Sequence, residues 1–298
     1  MSQANVNSQN VLKPDVVPFF DEDSSTFSYV VKDPTSKSCA VIDPVMDFNY
    51  ASGCTSFEGA DAIIEHIRSN DLKLEWLIET HVHADHLSSA PYIQEKLGGK
   101  LAVGEKILVV QETFGKVFNE GTEFKRDGSQ FDHLFTDNEE YKIGNLVATA
   151  LHTPGHTPAC MSHVIGDAVF VGDTLFMPDA GTARADFPGG DAGMLFDSVR
   201  RIMELPQEYR VFMCHDYQPD GRELEFLSSI GEQRHENIHV KDGVSKAKFV
   251  EMREARDRTL DMPRLILPSL QVNMRAGHLP EPEDNQVVYF KTPINLFK

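Results

Sequence analysis

Residues 80–86 read Thr-His-Val-His-Ala-Asp-His, which packs three imidazoles and one carboxylate into positions 81 to 86. The run follows a short buried-type strand, Leu74 to Ile78. On an extended backbone His81 and His83 point the same way, while Asp85 and His86 enter the following turn. Groups this close suffer from desolvation and mutual charge effects unless a cation compensates them. Further donors follow at later strand ends: His156 in Thr153-Pro154-Gly155-His156-Thr157, Asp173 in Val171-Gly172-Asp173-Thr174, and His215 after Arg210 to Cys214. Side chains at the ends of neighbouring strands converge in space, so these distant partners argue against a polar surface loop rich in histidine by chance.

The 298 residues are 41% hydrophobic and 25% charged, which excludes a disordered tail protein and a membrane protein. Acidic residues outnumber basic ones 46 to 28 for a net charge of -18, which disfavours nucleic-acid phosphates and anionic membrane surfaces as partners. An anionic substrate must therefore find a locally basic pocket. Cys39, Cys54, Cys160 and Cys214 form no C-x-x-C pair and read as free thiols of a reducing cytoplasm. Met1 to Asp15 lack the apolar segment of a secretory signal, and no apolar run reaches the ~20 residues of a membrane span, so a cytoplasmic protein is expected.

Thr26 to Lys32 and Cys39 to Ile42 read as a hairpin around Asp33-Pro34-Thr35-Ser36-Lys37. Gly59 to Asn70 places Ala62, Ile63, Ile64 and Ile67 on one side of an amphipathic helix. Tyr92 to Leu97 predicts a helix stopped by Gly98-Gly99, followed by a strand at Leu101 to Val103. Gly121 to Asn138 reads as loop with short strands, and Leu146 to Leu151 as a strand that delivers His152 to His156. Met161 to Ile165 and Ala168 to Val171 flank a tight turn at Gly166-Asp167. Met194 to Leu205 and Val244 to Leu260 predict helices, and the tail from Met262 reads as Pro-rich and irregular.

Taken together and in order from about residue 20 to 225, the His-x-His-x-Asp-His run, His156, Asp173 and His215 resemble the metallo-β-lactamase superfamily. The resemblance implies an α/β fold, an αββα sandwich of two mixed β-sheets flanked by helices, with metal at the sandwich edge. Zinc β-lactamases often carry cysteine where this chain has Asp173, so glyoxalase II and its relatives are nearer. Within that group, Gly181-Thr182-Ala183-Arg184-Ala185-Asp186-Phe187 and His215-Asp216-Tyr217 resemble the persulfide dioxygenases, also called sulfur dioxygenases. That resemblance implies oxidation of glutathione persulfide by O2 to sulfite and glutathione with one Fe(II) per chain, held by His81, His156 and Asp173. Two imidazoles and one carboxylate leave open positions on a non-haem iron. Arg184 would hold a glutathione carboxylate, or pair structurally with Asp186 or Asp191; Tyr217 would donate a hydrogen bond to the substrate.

His83, Asp85, His86 and His215 would either hold a second metal, as zinc or mixed dinuclear centres do in glyoxalase II, or hydrogen-bond to the groups around one iron. The alternative activities are a glyoxalase II-type thioester hydrolase with two metals, and a metal or glutathione binding module without turnover. His66, His133, His152, His163, His235, His239 and His278 lie outside the pattern and read as core or surface residues. Cys214, among Val211, Phe212 and Met213, reads as a buried inert thiol. The chain reads as a single domain over 1–298, with a C-terminal extension from about 226 to 298 that resembles a longer bacterial subgroup. That extension is expected to pack across the sandwich or form a homodimer interface, with Arg275 as a further substrate contact.

Overall fold

Strands such as Thr26 to Lys32 and Ser38 to Ile42 carry almost no polar face, which requires cover on both sides of the sheet. A computed structural model describes residues 12–296 and supplies that cover. The chain runs through β1 (Asp15–Asp21), β2 (Thr26–Lys32), β3 (Ser38–Ile42), β4 (Val45–Asn49), β5 (Cys54–Ser56), α1 (Glu58–Ser69), β6 (Lys73–Ile78), β7 (Leu87–Ser88), α2 (Ala90–Leu97), β8 (Lys100–Gly104) and α3 (Ile107–Val117). It continues through β9 (His133–Phe135), β10 (Glu139–Ile143), β11 (Leu146–His152), β12 (Met161–Ile165), β13 (Ala168–Phe170), α4 (Ala192–Ile202), β14 (Arg210–Phe212), β15 (Leu227–Ser229), α5 (Ile230–Glu236), α6 (Lys246–Asp257) and α7 (Ile266–Asn273).

Two six-stranded sheets face each other, ordered β1-β2-β3-β6-β8-β9 and β10-β11-β12-β13-β14-β15. Both are mixed: β3, β6, β8 and β9 pair in parallel, as do β13 and β14, and the remaining pairs in these sheets are antiparallel. Alternation splits each strand between two cores. Phe27, Tyr29, Ile42 and Ile78 meet Ala148, Phe170 and Phe212 between the sheets. Val30, Val41, Leu77 and Val103 face outward to Ile63, Ile67, Ile93 and Ile107 of α1 to α3. On the opposite side Val169 and Val211 pack against Leu195 and Val199 of α4 and Phe249 of α6. The result is the expected helix-sheet-sheet-helix order.

Several local expectations change. In α1 the buried stripe is Ala60, Ile63, Ile64 and Ile67, while Ala62 faces solvent, since 60-63-64-67 keeps the 3,4 spacing. Asp191 accepts from Met194 N and starts α4 two residues earlier than its apolar pattern does. The tail contains α7, because Pro268 falls in the first helical turn, where a missing N–H leaves nothing unpaired. Strand β1, with Pro18, forms a sheet edge, where proline is tolerated. Of Met1 to Asp15, residues 1–11 lie outside the described part. No helix among the described residues is long and apolar enough to cross a membrane.

Candidate metal centre

Four strands end at one rim of the sandwich, and each loop beyond carries donors. The segment after β6 delivers His81, His83, Asp85 and His86; those after β11, β13 and β14 deliver His156, Asp173 and His215. Two main-chain bonds tie the sheets together at this rim, Met161 N to Thr80 O (2.8 Å) and Phe27 N to Cys214 O (2.7 Å). Glycines make two of the approaches possible. Gly155 has φ +141°, and a Cβ there would lie 2.3 Å from the backbone of Leu195. Gly172, at φ +50°, lets the chain pass Thr80, whose Oγ1 would be 2.6 Å from a Cβ.

The hydrogen bonds set the tautomer of the imidazoles. His156 Nδ1 donates to Arg184 O (2.8 Å), His83 Nε2 donates to Asp43 Oδ1 (2.9 Å), and His215 Nδ1 donates to Ser25 O (3.3 Å). Thr80 Oγ1 gives its proton to Asp43 Oδ2 (2.8 Å), so it accepts from His81 Nδ1 (3.0 Å). Each of these bonds uses one ring nitrogen and leaves the other facing the rim. His81 Nε2, His83 Nδ1, His86 Nε2, His215 Nε2, Asp85 Oδ2 and Asp173 Oδ1 are buried without a hydrogen-bond partner. Buried polar atoms are ordinarily satisfied, and a set of acceptors converging with no donor among them matches a cation site.

The donors form two neighbouring groups joined by Asp173. Its Oδ2 lies 4.0 Å from His81 Nε2 and 3.6 Å from His156 Nε2. Its Oδ1 lies 3.2 Å from His215 Nε2, which stands equally close to Asp85 Oδ2 at 3.2 Å. Ligand atoms of His81, His156 and Asp173 cluster within 4.8 Å of one another, as do those of His83, Asp85 and His86. Burial holds His81 well below the usual imidazole range, and neighbouring His83 adds to this. Burial alone would raise Asp173, but His215, His81 and His156 outweigh it and keep the carboxylate ionised.

Asp43 is a central residue that sequence reasoning missed. Its carboxylate accepts from Thr80 N (2.7 Å), Thr80 Oγ1 and His83 Nε2, and so orients the rings of both His81 and His83. Burial works against its charge, but His83 prevails and holds it at about 2. The visible signal was a lone Asp directly after the buried strand β3. Asn273 was missed as well: its Nδ2 donates to His83 O (2.9 Å) and His86 O (2.8 Å), and its Oδ1 accepts from Ser88 N (2.8 Å). The extension thus clamps the histidine turn from outside.

A cavity of about 670 Å³ opens on this rim, lined among others by Asp85, His156, Asp173 and Phe187 and by Arg256 and Arg264 of the extension. Tyr217 lines it too, its ring stacked on His215 at 5.6 Å. Arg184 also reaches the cavity, but its fork is bound to both oxygens of Asp186 (2.6 and 2.8 Å) and to Asp261 O (2.7 Å). Of the two readings open for Arg184, the geometry favours the pairing with Asp186; Asp191 instead caps α4. Arg275 is not brought to the cavity: it pairs with Glu120 (2.6 Å) and covers the Phe124 ring, because α7 turns it toward α3 rather than the metal rim. Cys160 and Cys214 are buried free thiols that burial raises, Cys160 to about 12, and Cys214 Sγ stands within 4.8 Å of ligand atoms of His83 and His215. Among the histidines outside the pattern, His163 bonds Tyr141 and His133 pairs with Glu139, whereas His239 lines the cavity.

The chain is 51% identical over 287 residues to a probable metallo-hydrolase of Burkholderia pseudomallei, covering 93% of this chain and 98% of that one. It is 48% identical to glyoxylase B2 of Dictyostelium discoideum, covering 97% and 99%. Human mitochondrial persulfide dioxygenase ETHE1 is 27% identical over 87% of each chain. The crystal structure of ETHE1 from Myxococcus xanthus superposes with a TM-score of 0.70 at 29% identity, over 89% of this chain and 100% of that one. Residues 21–215, the span from β1 to the last histidine of the rim, match the metallo-beta-lactamase superfamily. With its sandwich, its strand-end donors and this match over most of its length, the chain belongs to the metallo-β-lactamase superfamily.

Proposed function

We propose that this protein is a persulfide dioxygenase that uses one Fe(II), held by His81, His156 and Asp173, to oxidise glutathione persulfide. The supporting observation is the three-donor face. Nε2 of His81, Nε2 of His156 and Oδ2 of Asp173 converge beside the cavity, and the donor set is two imidazoles and one carboxylate. His81, His156 and Asp173 would hold a ferrous ion there, which would supply open, redox-active positions for a soft sulfur anion and O2. One persulfide anion, one O2 and one water yield glutathione, sulfite and a proton: the S–S bond breaks and the outer sulfur gains three oxygens.

The chain's own residues position this chemistry. Arg184 O fixes the His156 ring, Thr80 and Asp43 fix that of His81, and Phe176 and Phe187 give the cavity an apolar wall that limits water beside the reacting sulfur. Tyr217 lines the cavity, its hydroxyl has no protein partner among the described residues, and it would donate to the substrate. His215 Nε2 stands 3.2 Å from both Asp173 Oδ1 and Asp85 Oδ2 beside the three-donor face.

A second reading has its own support. The unpaired atoms of His83, Asp85, His86 and His215 fit a second cation, and the Burkholderia and Dictyostelium relatives carry hydrolase-type names. Two metals would then activate water against a glutathione thioester. Purified protein should contain one iron per chain and consume O2 with glutathione persulfide. Two zinc ions per chain, no oxygen uptake and anaerobic turnover of S-lactoylglutathione would replace the dioxygenase with the hydrolase.

A further inference from the structure

The C-terminal extension supplies one wall of the cavity, from the end of α6 through residue 264, and that wall carries arginines. Most guanidinium groups nearby are already committed. Arg184 is forked onto Asp186, Arg253 is buried against Asp257 (2.8 and 2.7 Å) and Thr182 O (3.1 Å), and Arg222 clasps Asp179 and Asp216. Arg256 and Arg264 differ. Arg256 makes only a 3.4 Å contact with Thr259 Oγ1 at the end of its own helix, and Arg264 makes no side-chain hydrogen bond or ion pair among the described residues. Both side chains are solvent-accessible and line the cavity.

Unpaired arginines facing a cavity are unexpected in a chain of net charge -18, where surplus carboxylates are the rule. Two acids on the same lining, Asp23 and Asp261, also lack a cationic side-chain partner among the described residues, and Asp261 lies between the two arginines in sequence. The lining therefore offers guanidinium forks for carboxylates and a carboxylate for an ammonium group. That pattern fits the head of an amino acid or a small zwitterionic peptide.

We infer that Arg256 and Arg264 form the carboxylate subsite of this enzyme, and that its thiol carrier is recognised as a peptide-like zwitterion by the extension rather than by Arg184. The inference rests on the glutathione-based reading of function but is shared by its dioxygenase and hydrolase forms. Binding depends on the carrier's carboxylates and weakens with salt, since the arginines are exposed.

The test is calorimetric titration of the full-length metal-loaded protein with S-methylglutathione, which has no persulfide or thioester to turn over. Arg256→Gln and Arg264→Gln should each weaken binding about tenfold, and Lys at either position should restore part of the loss. The dimethyl ester of S-methylglutathione should bind the parent protein as weakly as the acid binds the double variant. Arg258→Gln, at an exposed position off the cavity lining, should bind as the parent does. Affinity within twofold of the parent for both Gln variants, or equal affinity for acid and ester, would overturn the subsite. Loss of persulfide oxidation with the binding pattern intact would instead remove only the dioxygenase reading.

Discussion

The contact between Asn273 and the histidine turn can be tested with one substitution. Asn273 sits 5% exposed at the end of α7 and satisfies three main-chain groups, His83 O, His86 O and Ser88 N. Asn273→Ala leaves all three unpaired in a buried position. At about 1 kcal/mol for each net hydrogen bond, the loss comes to about 3 kcal/mol, which lowers the melting temperature by roughly 5–10 °C. The same bonds hold the turn that carries the ligand His81 together with His83, Asp85 and His86, so metal affinity should fall about 10–100-fold, the range for groups that orient ligands. Stability loss alone does not prove a clamp. Ile67→Ala, which opens a hole in the core beneath α1 and away from the rim, should cost about 2–5 kcal/mol without changing metal affinity. Competition titration with a metal-binding dye, read beside thermal melts of both variants, separates the two effects. Equal metal affinity for Asn273→Ala and the parent would refute the clamp, whatever the melting temperature.

Gly155→Ala should be among the most damaging small substitutions in the chain, because φ +141° strains any side chain and the new Cβ would meet the Leu195 backbone at 2.3 Å. Iron content after purification and the melting temperature should both drop, and full metal occupancy would contradict the packing described here. Asp33 offers a pH test away from the metal. Burial opposes its charge, but bonds from Ser36, Asn145 and Thr35 outweigh it and lower the carboxyl to about 2. Because the folded value lies below the unfolded one, the stabilisation is complete above about pH 4 and is lost as pH falls toward the folded value. Asp33→Asn should therefore be less stable at neutral pH and show a shallower decline of stability between those limits in denaturant titrations; an unchanged slope would show that the turn does not contribute.

How far the site could be read before folding depended on the residue. His81, His156, Asp173 and His215 announced themselves because each follows a strand, and strand ends in a layered sheet protein gather at one rim. Asp43 did not, since one Asp before a proline at a strand end is equally a turn former. Helix α3 escaped notice because Leu108 and Val109 stand exposed beside the buried Ile107 and Val110 and blur the helical period. Helix α7 was hidden by Pro268, which reads as a breaker unless the first helical turn is known to begin two residues before it. Arg184 and Arg275 show the limit most clearly: a guanidinium can meet a substrate or a neighbouring acid, and only proximity to Asp186 and Glu120 decides between them.

Local order along the chain was enough to determine the superfamily, the alternation of strands and helices, and the donor types at the rim, because those depend on periodicity and on which atoms can ligate a cation. Tertiary structure alone decided which nitrogen of each histidine faces inward, that α7 clamps the histidine turn, and that the basic wall of the cavity comes from the extension. These features depend on contacts between residues up to 190 positions apart, such as Asn273 with His83. No local pattern encodes such a contact, since its energy exists only once the intervening chain has packed.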